Sequence, residues 1–188
     1  MRARGFFTLA KELLSLPTAP YHERFVTEAI GEYLAPRKQI SCKTDRFGNL
    51  HLIYRGSMDR SQTPIVATAH LDHPALGWVS KQGKREFVFE SLGRLPASRI
   101  VGAPVRIYDV NNDDAVMCVR ARVAGRVAGT EGHFRVRAEA KQPAHLVGPG
   151  SFAVWDLPPL QRRGNRIYAR ACDDLAGVAV GLCWLDQL

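Results

Sequence analysis

Two short motifs in this sequence could do chemistry, and the first is His70-Leu-Asp72. It directly follows residues 64–69, a nearly continuous apolar run that is typical of a strand buried on both faces of a sheet. Open α/β sheets bind their ligands at the carboxyl ends of such strands. A neutral imidazole is a good zinc ligand, and a carboxylate two residues later can orient it. The motif predicts a metal ligand, and a histidine bonded within its own loop is the alternative.

The second motif places two neighbouring carboxylates, Asp173 and Asp174, at the predicted start of a helix. Aspartate is common at helix starts because its side chain accepts hydrogen bonds from free backbone N–H groups, so capping alone would account for one of the two. Two adjacent carboxylates also repel each other, and a divalent cation removes that cost. A cation site would account for both residues.

The elements that must position these motifs follow an α/β pattern. The predicted elements are helices over residues 6–16 and 25–34, strands over 40–44, 50–54 and 64–69, and a helix over 175–188. Pro17 and Pro36 lie just beyond the first two helices, where proline is expected. Gly48 and Asn49 can form the turn of a hairpin between the first two strands. The apolar helix at the end of the sequence has no strand after it, so we expect the chain to be the front part of something longer.

Between about residues 78 and 168 the pattern changes to short β-branched stretches separated by Gly, Pro and Asn. The predicted strands cover residues 86–90, 100–110, 115–123, 133–138 and 151–155. An all-β module therefore interrupts the α/β pattern. The expected domains are a first part of the core over residues 1–76, an inserted β domain over 77–166, and a continuation of the core over 167–188.

Composition narrows the class of protein and its location. The 188 residues are 46% hydrophobic and 23% charged, which is close to an average globular protein. No apolar stretch reaches the roughly 18 residues that cross a bilayer, and Lys11 and Glu12 interrupt any signal-peptide core. The four cysteines form no C-x-x-C pair; they are Cys42, Cys118, Cys172 and Cys183. We therefore expect a cytoplasmic protein with no membrane segment.

The net charge of +8 raises the question of an anionic partner. Many of the arginines are spread singly through the strand-like region, without an aromatic-rich RNA-binding motif or a recognition-helix pattern. This distribution argues against nucleic acid as the main partner.

Taken in order, the motifs resemble the N-terminal portion of the co-catalytic di-metal aminopeptidases of the glutamyl aminopeptidase group, the family of the tetrahedral, self-compartmentalising aminopeptidases. The matching segments are Leu13-Leu-Ser-Leu-Pro17, Asp45-Arg-Phe-Gly-Asn-Leu50, Ala69-His-Leu-Asp72, Val101-Gly-Ala-Pro-Val-Arg-Ile107 and Ala171-Cys-Asp-Asp174. Asp173 lies 101 positions after Asp72, an interval that fits only relatives with a β domain inserted between the two.

The resemblance implies an α/β fold, in which a partial metallopeptidase core with a mixed sheet and flanking helices is interrupted by a β-barrel. It implies an enzyme that removes N-terminal residues from peptides with two divalent metal ions, zinc or cobalt. His70 matches a terminal metal ligand, Asp72 the carboxylate that orients it, and Asp173 the carboxylate that bridges the metals. Asp174 matches a position that is usually Asp or Asn. His73, beside the motif, is a candidate for contact with substrate or with a metal-bound water.

The sequence also departs from the family. Residues 73–76 stand where the family has an acidic residue and an apolar-Gly step, so substrate preference is expected to differ. The family's Glu-Glu pair, a further carboxylate and a final histidine have no match among the 188 residues. We therefore expect weak or absent metal binding and no activity from this chain alone.

The resemblance also implies partners, namely a peptide substrate and further copies of the chain, held together through the β domain. The alternative, from a different class, is a non-catalytic remnant that binds protein or nucleic acid.

Overall fold

Three helices and a two-stranded sheet form the first structural unit of the chain. A computed structural model describes residues 5–56, 63–109 and 117–188. The elements of this unit are α1 (Phe6–Leu13), α2 (Arg24–Leu34), β1 (Ile40–Thr44), β2 (Leu50–Tyr54) and α3 (Cys172–Leu185). Four of these elements come from the start of the sequence and α3 comes from its end, so two widely separated segments build one unit.

Each of the three helices buries apolar side chains in a shared core. Its buried members include Leu9, Leu13, Val26, Ile30, Leu34, Leu175 and Leu182. The first helix is shorter than predicted, because after Leu14 the amides of Ser15 and Leu16 bond only three residues back, in tighter turns, and Pro17 then stops the helix. Within residues 5–56, 63–109 and 117–188, every helix is too short or too polar to cross a membrane.

The predicted hairpin forms with the predicted bounds. Strands β1 and β2 pair antiparallel, with Ile40 opposite Tyr54. Gly48 has a φ of +90°, which a residue with a side chain rarely adopts. The Asp45 carboxylate accepts hydrogen bonds from the backbone amides of Phe47 and Asn49 at 2.8 and 2.9 Å, so the turn is held by its own side chains.

Six antiparallel strands form a closed barrel between the two segments of the first unit. They are β3 (Ala75–Lys81), β4 (Glu86–Leu92), β5 (Pro104–Tyr108), β6 (Val119–Thr130), β7 (His133–Ala140) and β8 (Phe152–Trp155), in the spatial order β3-β4-β7-β6-β5-β8. Burial alternates along β7, where Phe134, Val136, Ala138 and Ala140 fill the barrel and the residues between them are exposed. The predicted fold class, an α/β chain that contains a β-barrel, is confirmed.

The barrel closes where the chain enters and leaves it. The first strand, β3, pairs with the last, β8, with Leu76 opposite Ala153 and Gly77 opposite Phe152. Just outside the barrel, the indole N–H of Trp155 donates to the carbonyl of Pro74 at 3.1 Å. The two connections to the first unit therefore lie side by side.

The strands of the barrel differ from prediction mainly at their ends. The strand predicted over 100–110 narrows to β5, because residues 100–103 form a turn with Gly102 at a φ of +85°. The strand predicted over 115–123 begins at Val119 and runs on to Thr130, and positions 110, 115 and 116 lie outside the described residues. A short hairpin of β9 (Gln161–Arg163) and β10 (Arg166–Tyr168) was missed, since three residues carry no readable alternation.

Residues 64–69 do not form the predicted buried strand, and this prediction was wrong. The segment has no regular secondary structure and is exposed, with Ile65 at 80% and Val66 at 78% of full accessibility. Among the described residues, nothing forms a backbone hydrogen bond to residues 63–69. A buried strand needs neighbours on both edges and cover on both faces, and the described part of the chain supplies neither. The apolar composition of residues 64–69 predicted burial, but burial also requires neighbouring elements, which composition does not show.

A partly buried ion pair connects the end of α2 to the end of α3. Asp186, the C-cap residue of α3, accepts hydrogen bonds from the Arg37 guanidinium, with Nη2 to Oδ2 at 2.8 Å, and from the Tyr33 hydroxyl. A carboxylate is unfavourable at a helix C-terminus, so these partners must offset that cost. The hydrogen bonds from Arg37 are the main reason that the pKa of Asp186 lies below its ordinary value.

Replacing Asp186→Asn should lower the free energy of unfolding by about 2 kcal/mol near neutral pH, because it leaves a partly buried guanidinium without its counter-charge. Since the pKa of Asp186 is lowered on folding, its stabilisation is complete above the ordinary carboxyl pKa of about 4 and is lost as the pH falls through the folded-state value. Urea unfolding of both proteins at pH 7, 5 and 3 should show the difference shrinking at pH 3. Glu28→Gln, in the exposed pair with Arg24, is the control and should cost under about 0.5 kcal/mol. A difference independent of pH would contradict this account.

Candidate metal centre

His70 is held in one orientation by Asp72. Its Nδ1 lies 3.0 Å from the Asp72 carbonyl oxygen and 3.2 Å from the Asp72 carboxylate Oδ1. Both oxygens are acceptors, and together they favour the neutral tautomer with its proton on Nδ1. In the neutral ring the lone pair is therefore on Nε2, the other ring nitrogen. This is the tautomer that a metal-binding histidine needs.

Asp173 meets His70 although 103 positions separate them in the sequence. Nε2 of His70 lies 3.2 Å from Oδ1 of Asp173, whose side chain is 94% exposed. The backbone is non-helical at Asp173 and Asp174, so the regular helix begins only after them. Ala171 is the N-cap residue and makes no side-chain cap hydrogen bond, and the Asp173 carboxylate faces His70. The capping explanation for Asp173 is not what the structure shows.

The contact between His70 and Asp173 brings two acceptors together. With the proton on Nδ1, the Nε2 lone pair faces a carboxylate that also accepts only, and such a pair repels unless a proton or a cation lies between them. Burial alone would lower the pKa of His70, but its hydrogen bonds to Asp72 and Asp173 outweigh burial and raise the pKa above the ordinary value. The pair therefore attracts positive charge at the point between Nε2 and Oδ1.

The geometry of the pair fits two ligands of one metal ion. Two ligand atoms bonded to a tetrahedral zinc at about 2.0 Å are about 3.3 Å apart, close to the separation of Nε2 and Oδ1. Within the described residues, however, no group of three or more histidine, cysteine, aspartate or glutamate side chains is placed to hold a metal. Asp72 faces the opposite ring nitrogen, so His70 and Asp173 are the two candidate ligands in the described part of the chain. A catalytic zinc site uses about three.

The other two candidate residues, Asp174 and His73, lie beside His70 and Asp173 but do not complete a metal site with them. The Asp174 side chain lies next to Gly177 of α3. A Cβ atom at residue 177 would lie 2.1 Å from Oδ1 of Asp174, so only glycine fits at residue 177 without a shift of the Asp174 side chain. His73 is half-buried, and burial lowers its pKa. Its Nδ1 lies 3.2 Å from the carbonyl of Pro74, which leaves Nε2 with the lone pair in the neutral ring.

Arg170 is a residue of this region that the sequence analysis missed. Its guanidinium donates to the carbonyl of Leu16, while its buried Nε has no hydrogen-bond partner among the described residues. Burial lowers its pKa, and nearby Tyr108 and Asp156 of the barrel oppose that effect. Arg170 lies just before α3 and therefore interacts with both the helical unit and the barrel unit. A single arginine before an acidic motif gives no signal of this in the sequence.

Comparison with known proteins finds solved structures that share the fold of this chain. The sequence matches no protein-family model and no curated protein significantly. An aminopeptidase from the archaeon Desulfurococcus kamchatkensis superposes with a TM-score of 0.79 at 21% identity, over 97% of this chain and 52% of that one. A Thermotoga maritima protein described as an endoglucanase gives 0.75 at 22% identity, over 95% and 54%. The TET1 peptidase of Pyrococcus horikoshii, which can assemble into a tetrahedron or a large octahedral shell, gives 0.74 at 15%, over 98% and 56%.

These similarities agree on the fold. Nearly all of this chain superposes on each structure, and the chain spans about half the length of each. Identities near 20% establish shared architecture and leave the reaction open. The chain therefore has an aminopeptidase-like fold.

Zinc should raise the melting temperature of the chain only near millimolar concentration, because two ligands make a weak site. A free zinc concentration equal to the dissociation constant stabilises the folded state by about 0.4 kcal/mol, or about 1 °C for a chain of this size. Differential scanning fluorimetry across a zinc series would measure the shift. Asp173→Asn should abolish it, and His145→Ala, at an exposed position outside the barrel strands, should leave it unchanged. A shift at micromolar zinc would contradict the two-ligand site.

Proposed function

We propose that this chain carries part of the active site of a metal-dependent aminopeptidase, which removes N-terminal residues from peptides. The observation that supports this most directly is the convergence of two acceptors, His70 Nε2 and Asp173 Oδ1, at a distance that suits one cation. The superposed aminopeptidase and TET1 peptidase give independent support from the fold.

Each residue of the site has a role that follows from its contacts. Asp72 fixes the tautomer and orientation of His70, so that Nε2 is available as a ligand. Asp173 would hold metal with its exposed carboxylate, and Asp174 and His73 are the proposed contacts to substrate or to the groups around the metal. When bound, divalent zinc or cobalt would polarise the scissile carbonyl and lower the pKa of an attacking water.

Among the described residues, the proposed site has two metal ligands and is incomplete. A general base typically contributes about 10²- to 10⁴-fold to such a reaction, and neither His70 nor Asp173 is free to act as one while it holds a metal. We therefore propose that the chain alone does not hydrolyse peptides. Within the proposed domain division, residues 1–76 and 167–188 form the peptidase part, and the barrel domain of residues 77–166 associates with other copies.

Cobalt(II) provides the test, because its paramagnetism broadens the NMR signals of nearby nuclei. In a titration of the ¹⁵N-labelled chain, amide signals of residues 70–73 and 171–175 should broaden first, and His70→Ala should remove that preference. Mutation of another histidine, His133→Ala in β7, is the matched control and should leave it intact. Broadening without preference for these residues would refute the metal site and favour the non-catalytic binding module.

Hydrolysis by the same samples tests the second half of the proposal. Neither zinc nor cobalt should make the 188-residue chain release amino acid from a dipeptide above the buffer rate. Steady metal-dependent release that Asp173→Asn abolishes would show that the site is complete, and the statement that the chain is inactive alone would then be wrong.

A further inference from the structure

The loop between α1 and α2 contains a buried hydroxyl whose partner lies far along the chain. The side chain of Thr18 is fully buried, and its hydroxyl donates to the carbonyl of Leu71 at 2.8 Å, 53 positions later. Within the described ranges, the two buried polar residues are Thr18 and Ser151. A buried hydroxyl without a partner is unfavourable, so this hydrogen bond holds the Leu71 carbonyl close to the loop.

Leu71 is the middle residue of the motif that carries His70. Among the described residues, the Thr18 hydroxyl is the only group outside this motif that forms a hydrogen bond to the backbone of residues 64–72. The side chain of Leu71 also packs against the shared helical core. Apolar contact is not directional, whereas a hydrogen bond fixes the carbonyl that it joins. The bond from Thr18 therefore restrains the backbone that carries His70.

The same loop also holds the segment that carries Asp173. The carbonyl of Leu16 accepts a hydrogen bond from the guanidinium of Arg170, 154 positions later. Arg170 comes shortly before Asp173, and Ala171 between them is fully buried. Leu16 and Thr18 are nearly adjacent in the sequence, and they contact the two segments whose side chains meet at the candidate metal centre.

The loop is itself restrained. Pro17 and Ala19, on either side of Thr18, are both buried, and the proline ring fixes the backbone φ at its position. The amide of Leu16 bonds back to the end of α1 at 3.2 Å, and the amide of His22 bonds to the carbonyl of Ala19 at 2.9 Å. A restrained loop that contacts both segments can set the distance between them.

We propose that Thr18 and Leu16 are positioning residues that hold the two candidate metal ligands, His70 and Asp173, within reach of one cation. The two ligand atoms are acceptors that repel each other in the absence of positive charge, so a constraint outside the pair must keep them in contact. The loop supplies this constraint through the backbone on either side of the pair. The inference rests on the proposed function, since it assigns a role at the metal site.

The test begins with Thr18→Val, which removes the hydroxyl and keeps the branched shape of the side chain. In the metal-free 188-residue chain, nuclear Overhauser contacts between the His70 imidazole and the β protons of Asp173 should be present, and this variant should lose them. The cobalt concentration that half-broadens residues 70–73 should rise about 10-fold, as loss of a supporting hydrogen bond costs metal sites. Thr18→Ser keeps the hydroxyl and should restore both measurements.

Ser151→Ala is the matched control, because it removes the other buried hydroxyl, which accepts from the amide of Gly148 at 3.1 Å in the turn before β8. It should leave the Overhauser contacts and the cobalt titration unchanged even where it lowers the melting temperature. Arg170→Met removes the donor to the Leu16 carbonyl and keeps a long side chain. It should also weaken cobalt binding, and it decides the question if Thr18→Val does not fold.

Two results would overturn the proposal. One is a folded Thr18→Val variant that keeps both the Overhauser contacts and the wild-type cobalt titration. The other is an equal loss of cobalt binding in Ser151→Ala, which would show that lower stability alone weakens the site. A wild-type chain that shows the Overhauser contacts but no preferred cobalt broadening would refute the proposed metal function, while the metal-free contacts in the variants would still decide whether Thr18 positions His70.

Discussion

The pairing of the first and last strands of the barrel is the constraint on which the rest of the structure depends. Because β3 pairs with β8 and the Trp155 indole bonds to Pro74, the chain leaves the barrel next to the point where it entered. The segment before the barrel and the segment after it can then belong to one unit. Without that closure, His70 and Asp173 could not meet across more than a hundred intervening residues.

The candidate site shows how a small electrostatic conflict can be informative. Asp72 fixes the proton of His70 on one ring nitrogen, and this choice directs the lone pair of the other nitrogen at a carboxylate. Folding therefore holds two acceptors in contact at an exposed place, where they could easily have separated. An arrangement that repels in the absence of positive charge is a better sign of a cation site than acidic residues alone.

Local features were predictable from the sequence, and features that depend on distant neighbours were not. The hairpin of β1 and β2 has the predicted bounds because Asp45 and Gly48 determine its turn within a few residues. The β-branched stretches separated by Gly, Pro and Asn predicted an all-β module for the same reason, and the resemblance implied that it is a barrel. The pairing of His70 with Asp173 was inferred from resemblance, since spacing alone cannot bring residues so far apart into contact. Residues 64–69 and Arg170 were missed or misjudged because burial and partners come from elements that lie elsewhere in the chain.

The division of the first unit between the two ends of the sequence also bears on the order of folding. The shared helical core needs Leu9 and Leu13 to meet Leu182, whereas every strand of the barrel pairs with strands from within residues 75–155. Contacts between distant residues form slowly, because a long loop must close before they stabilise anything. During synthesis the barrel would be complete before α3 leaves the ribosome, while α1 and α2 wait with their apolar faces uncovered. The barrel is thus the part of the chain that can fold first, and its closure shortens the loop that the helical core must close.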